Sequence, residues 1–99
     1  MIFVINKKKY DTEKMEKIAK VEKFYKLDSW FLKQFGAKDL WYNYNCILWR
    51  TKKNNWFLTS NRDYDKIVGE AIDENEAKSL LLKHDIEKYE EIFGELEEA

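Results

Sequence analysis

Apolar and polar residues alternate most clearly over Cys46–Ser60, where two runs rich in aromatic and branched side chains flank Thr51-Lys52-Lys53-Asn54-Asn55. That pattern predicts a β-hairpin. Asn54 or Asn55 supplies the positive φ that a tight turn needs, because Asn tolerates the left-handed region. A loop centred on Lys53-Asn54 and one centred on Asn54-Asn55 differ in register. Both put Ile47, Trp49, Thr51, Trp56, Leu58 and Ser60 on one face, and Cys46, Leu48, Arg50, Phe57 and Thr59 on the other. The first is the better core face. Leu48 and Phe57 give the second enough apolar character to be covered in part.

Before the hairpin, residues 2–6 read as a strand and Asn6–Lys9 as a turn. Met15, Ile18, Ala19, Val21, Phe24 and Tyr25 recur at roughly helical spacing, which predicts a helix over 13–26 capped by Asp11 or Thr12. Lys14, Lys17, Lys20, Lys23 and Lys26 would form a slanted basic ridge on it, partly neutralised by Glu13, Glu16 and Glu22. Asp28 or Ser29 caps a second short helix over Trp30–Phe35, stopped at Gly36, and residues 37–45 read as a loop or irregular strand holding Trp41, Tyr42 and Tyr44. After the hairpin come a polar connection at 61–66, a last strand over 67–72, and a helix Glu74–Lys83 capped by Asp73 with Ala77, Leu80 and Leu81 inward. His84-Asp85 marks a bend. A final helix, Ile86–Phe93, buries Ile86, Tyr89 and Phe93 and ends at Gly94. The architecture expected is α+β: a small antiparallel sheet of three to four strands around the hairpin 46–60, with helices mainly on one face.

Ninety-nine residues make one domain, 1–99, with one modest core. Sixteen aromatics serve that core and suit contact surfaces. A single cysteine, Cys46, excludes an internal disulfide and fits a reducing cytoplasm. The apolar start Met1–Ile5 is too short for a signal peptide or a membrane span. Charge is uneven: residues 1–53 carry 13 Lys/Arg against 6 Asp/Glu, net +7, and residues 54–99 carry 5 against 13, net −8. The halves either pair with each other or present a bipolar surface.

Little in the chain suits catalysis. Cys46 and His84 are one of each, with no third orienting group at a telling spacing, and a lone strand cysteine is ordinarily a small core residue. No metal-ligand spacing, glycine-rich phosphate loop or cofactor motif is present, so a non-enzymatic protein without a cofactor is expected. Two binding features remain. Glu87, Glu90, Glu91 and Glu95 form either a solubilising helix face or a set of negative charges that steers toward a basic partner. Trp41, Tyr42 and Tyr44 form either a lid on the sheet or a contact surface.

The segments Lys8–Glu13, Leu48–Lys53 running into Trp56–Leu58, Glu76–Lys78 and Tyr89–Gly94 resemble a family of small, largely uncharacterised proteins of phages and integrated mobile elements of low-GC bacteria. Members usually carry Gly in the hairpin turn, where this chain has Asn54, and often a glycine-rich stretch where it has Thr59–Asp63. The resemblance supplies no catalytic residues. Its genomic company implies an inhibitor that binds a host defence complex, anti-CRISPR proteins blocking a CRISPR effector being one kind. Contacts would fall to Glu87, Glu90, Glu91, Glu95, Trp41, Tyr42 and Tyr44. The alternatives are a nucleic-acid-binding accessory protein using Lys14, Lys17, Lys20 and Lys23, and a homo-oligomeric regulatory protein of the mobile element.

Overall fold

The computed structural model describes residues 1–27, 34, 40–63 and 66–99. The fold is α+β, as the pattern predicts. Among the described residues, β1 (Ile2–Ile5) and β2 (Lys8–Asp11) form a two-stranded hairpin. β3 (Glu16–Leu27), β4 (Leu40–Arg50), β5 (Trp56–Asp63) and β6 (Lys66–Ile72) form an antiparallel sheet in that order. Two helices follow, α1 (Glu74–His84) and α2 (Ile86–Phe93). The predicted hairpin supplies the two central strands.

Its register differs from both expected ones. Cys46 pairs with Ser60, Leu48 with Leu58 and Arg50 with Trp56. The loop has three residues, Lys52–Asn54, closed by Asn54 N–H to the Thr51 carbonyl (2.9 Å) and Thr51 N–H to the Asn55 carbonyl (2.8 Å). Asn54 takes the left-handed conformation, φ 64°. An odd loop length changes the parity of pairing. Cys46 and Leu48 therefore share a face with Trp56, Leu58 and Ser60, and Ile47 and Trp49 share the other with Phe57 and Thr59.

The helix expected over 13–26 is a strand. Asp11 does cap, its Oδ1 accepting Glu13 N–H at 3.1 Å, but only a single 3-10 turn, Thr12–Lys14. From Ala19 onward exposure alternates with period two, as a strand requires. The helical spacing came from a bulge between Lys17 and Ala19, which leaves the neighbours Ile18 and Ala19 both buried. β-Branched and aromatic residues at 18, 21, 24 and 25 favour the extended chain. The lysine ridge goes with the helix: Lys20 and Lys26 lie on one face of β3 and Lys23 on the opposite one. Residues 40–45 are regular strand rather than loop. The helix expected over Trp30–Phe35 lies outside the described residues.

The sheet is covered on both sides. On one, Ile18, Val21, Leu48, Trp56 and Leu58 pack with Ala77, Leu80 and Leu81 of α1. On the other, Phe57 is fully buried beneath the β1–β2 hairpin, stacked on Tyr10 (4.8 Å, 10°) and tilted against Phe3 (5.3 Å). That hairpin turns on Asn6 and Lys7, both at positive φ (50° and 63°), as a two-residue turn between twisted strands needs.

The C-terminal region follows its sequence signals. Asp73 Oδ1 accepts Glu76 N–H at 2.7 Å, and Asp85 Oδ1 accepts Lys88 N–H at 3.1 Å. Gly94 ends α2 at φ 103°. One expected core residue is displaced: Ile86 is 52% exposed, because α2 is anchored from its far end, where Phe93 contacts Trp56 at 5.7 Å.

Candidate functional site

The aromatic residues singled out in the sequence stand on a two-stranded ribbon. β5 last pairs with β4 at Cys46, so among the described residues Leu40–Asn45 pair only with Glu22–Leu27. Trp41 is 60% and Tyr42 54% exposed. As consecutive strand residues they point to opposite faces of the ribbon; Tyr44, half-buried, supports Tyr42 alone, its ring 6.5 Å from Tyr42 and 6.0 Å from Tyr25. Phe24, 52% exposed and diagonal to Trp41 on the same face, completes an apolar end that periodicity had assigned to a helix core.

The acidic residues form a separate surface. Glu87, Glu91 and Glu95 are exposed; Glu90 is half-buried and accepts Leu96 N–H at 3.0 Å. Glu91 pairs with Lys88 at 3.2 Å. Through Phe93 and Trp56, α2 sits over the end of the sheet where Arg50 pairs with Trp56. Trp41 lies nine positions earlier on β4, about 30 Å along an extended strand. The other end of α2 follows His84, which bonds Glu22 on β3, four positions from the Lys26 that pairs with Trp41, so Glu87 lies nearer the aromatic residues than Phe93 does.

Between them, on the helix side of the sheet, is a polar network. Lys23 Nζ bridges Glu70 Oε1 (2.9 Å) and Glu76 Oε1 (2.5 Å). Tyr25 Oη donates to Glu70 Oε2 at 2.7 Å. The Arg62 guanidinium lies 3.6 Å from the Tyr25 ring centre and donates from Nε to Ser60 Oγ at 3.0 Å. Lys23 and Glu70 stand on the two edge strands, which a flat sheet would hold about 14 Å apart. Their contact shows that the sheet curls around this cluster.

Burial works against the Lys23 ammonium, but its hydrogen bonds to Glu76 and Glu70 outweigh that and raise its pKa. Burial likewise opposes the Glu70 carboxylate, yet the Tyr25 and Lys23 hydrogen bonds hold it below the usual range. Burial first, and the bond to Glu70 second, push the Tyr25 phenol up. The network is charge-paired.

Cys46 and His84 make no nucleophilic pair. Cys46 is buried, its thiol pushed up by that burial, and its Sγ donates to the Tyr44 carbonyl at 3.5 Å. His84 Nε2 accepts Glu22 N–H at 3.3 Å, closing a donor on the β3 edge. Both border a cleft of about 650 Å³ lined also by Lys20, Ile47, Thr59 and Ile67. Among the described residues no group of His, Cys, Asp and Glu is placed to hold a metal. No described helix is long and apolar enough to cross a membrane.

Sequence reasoning passed over a second cleft, about 430 Å³, at the hairpin-turn end. Lys8, Lys9 and Lys14 line it from one side, and Lys52 and Lys53 from the other, with Tyr10, Asp11, Thr51 and Asn55 between. The signal was visible as two short lysine runs, but only the stacking of Tyr10 on Phe57 brings them together.

No family model, no curated protein and no solved structure matches the chain.

Proposed function

We propose that the protein is a non-enzymatic inhibitor that works by binding, and that its partner is a host defence complex, a CRISPR effector being one candidate. One observation carries the binding reading: Trp41 and Tyr42 are held in the open on the two opposite faces of a strand ribbon, with Phe24 beside Trp41. Large aromatics left in water forgo a sizeable burial gain that a partner recovers by covering them. Such residues are the usual anchors of protein interfaces.

The exposed Glu87, Glu91 and Glu95 supply a second contact that favours a basic partner, such as a surface that otherwise grips nucleic acid. The defence assignment itself rests on the family resemblance of the segments from Lys8 to Gly94.

The test is a tagged pull-down from bacterial cells expressing several defence systems, read by mass spectrometry. Recovery of one defence complex in stable ratio, lost in Trp41→Ala/Tyr42→Ala and weakened in Glu87→Lys/Glu91→Lys/Glu95→Lys, is the expected result. Capture of no defence complex, or capture indifferent to both variants, overturns the reading.

A further inference from the structure

We propose that the cleft between the β2–3-10 segment and the β4–β5 loop binds the phosphodiester backbone of single-stranded nucleic acid, through Lys8, Lys9, Lys14, Lys52 and Lys53. The five lysines line one concavity from segments some forty residues apart. Among the described residues none of them forms an ion pair; the pairs found involve Lys23, Arg50, Lys78 and Lys88. Five like charges facing one carboxylate, Asp11, leave a positive surplus, so an anion entering the cleft is attracted to it.

The one acidic residue lining the cleft is Asp11, whose Oδ1 is occupied by Glu13 N–H at 3.1 Å. Glu13 and Glu16 lie beyond Lys14, and Glu16 is neutralised by Arg50 at 2.9 Å. Thr51 Oγ1 accepts Asn55 N–H at 3.0 Å, which leaves its own proton to donate into the cleft. The donors are thus point-charge ammoniums and a hydroxyl, with no guanidinium fork among the lining residues. That set suits phosphate oxygens spaced along a chain better than the bidentate geometry in which a carboxylate is best held.

A single strand is flexible enough to bend its phosphates into a cleft of about 430 Å³, which a stiff duplex would span. Tyr10 gives one ring face to Phe57, and the charged groups of the cleft are its lysines. Binding is therefore read chiefly from the backbone, carries little sequence preference and depends steeply on salt. It does not involve Trp41, Tyr42 or α2, so it stands or falls separately from the inhibitor reading.

The experiment is fluorescence anisotropy of the whole protein with a labelled oligothymidylate of about 16 nucleotides. Neutralising five phosphates of a single strand predicts a slope of about −3.5 in log K against log salt. That is roughly a hundredfold loss of affinity between about 50 and 200 mM salt. Lys8→Ala/Lys9→Ala/Lys52→Ala/Lys53→Ala is expected to abolish binding with an unchanged melting curve, since all four side chains are exposed. Lys20→Ala/Lys26→Ala, on β3, should bind as the parent does. Undetectable binding at the lower salt, or binding that survives the fourfold change, overturns the proposal. So do equal affinity for duplex of the same length and equal affinity for polyglutamate.

Discussion

The ring of Phe57 lies against the backbone of Gly69: a Cβ placed on Gly69 would stand 2.4 Å from Phe57 Cζ and 2.8 Å from the Phe3 ring. Phe57 is fully buried and held from above by Tyr10, so it cannot withdraw. Gly69→Ala is expected to lose about 1–3 kcal/mol, the usual cost of overpacking a filled site. A urea melt measures it directly. An unchanged midpoint would show that the β1–β2 hairpin can lift off the sheet at little cost.

That contact also shows what the sequence could and could not convey. The central hairpin, the last strand and both C-terminal helices were legible because local chemistry fixes them: Asn54, Asp73, Asp85 and Gly94 each do at close range what their residue types favour. β3 was not legible. Its bulge places Ile18 beside Ala19 in the core and so imitates helical spacing. The faces of the hairpin were lost to a loop of odd length, since one residue of register exchanges every side chain between faces. The aromatic residues Trp41 and Tyr42 were identifiable by type, but the placement of the acidic helix depends on distant contacts at Trp56 and Glu22. The Lys23–Glu70 bridge and the basic cleft join residues far apart in the chain, and pattern within a window carries no information about such contacts.

The polar network sets a pH range for stability. Glu70 is shifted down in the folded protein, so its contribution is present above the unfolded carboxylate value, about 4.3, and is lost as pH falls through the folded one. Lys23 and Tyr25 are shifted up, so their contributions are complete below the unfolded values, about 10, and are lost as pH rises beyond them. Urea midpoints are expected to be flat between these limits and to fall outside both. Glu70→Gln should lower the plateau and shallow the acid limb. An acid limb of unchanged steepness in that variant would assign it to other carboxylates.

Asn54 holds the hairpin loop in the left-handed region at φ 64°. Asn54→Gly meets the same requirement without a Cβ and is expected to stay within about 0.5 kcal/mol of the parent. Asn54→Val, with a branched Cβ in a conformation it resists, is expected to lose about 1–2 kcal/mol. Equilibrium unfolding of the two variants separates them. Equal losses in both would mean that the Asn54 side chain, and not its backbone conformation, stabilises the turn.

Trp41 and Tyr42 should contribute to binding without contributing to stability. Both are more than half exposed, and Tyr42 lies at the margin of the core, beside Tyr44 and opposite Tyr25. Their removal uncovers little that the folded chain had buried. Trp41→Ser/Tyr42→Ser is therefore expected to melt within about 0.5 kcal/mol of the parent, the range of surface changes away from special features. Tyr44→Ser is the informative contrast. Its half-buried ring contacts both Tyr25 and Tyr42, so it should lose about 1 kcal/mol or more and disturb the ribbon on which the two exposed rings stand. A stable double variant that no longer captures a partner would mark the pair as a contact surface. A double variant destabilised as much as Tyr44→Ser would instead make all three aromatics part of the scaffold, and the contact surface would have to be sought at the acidic helix.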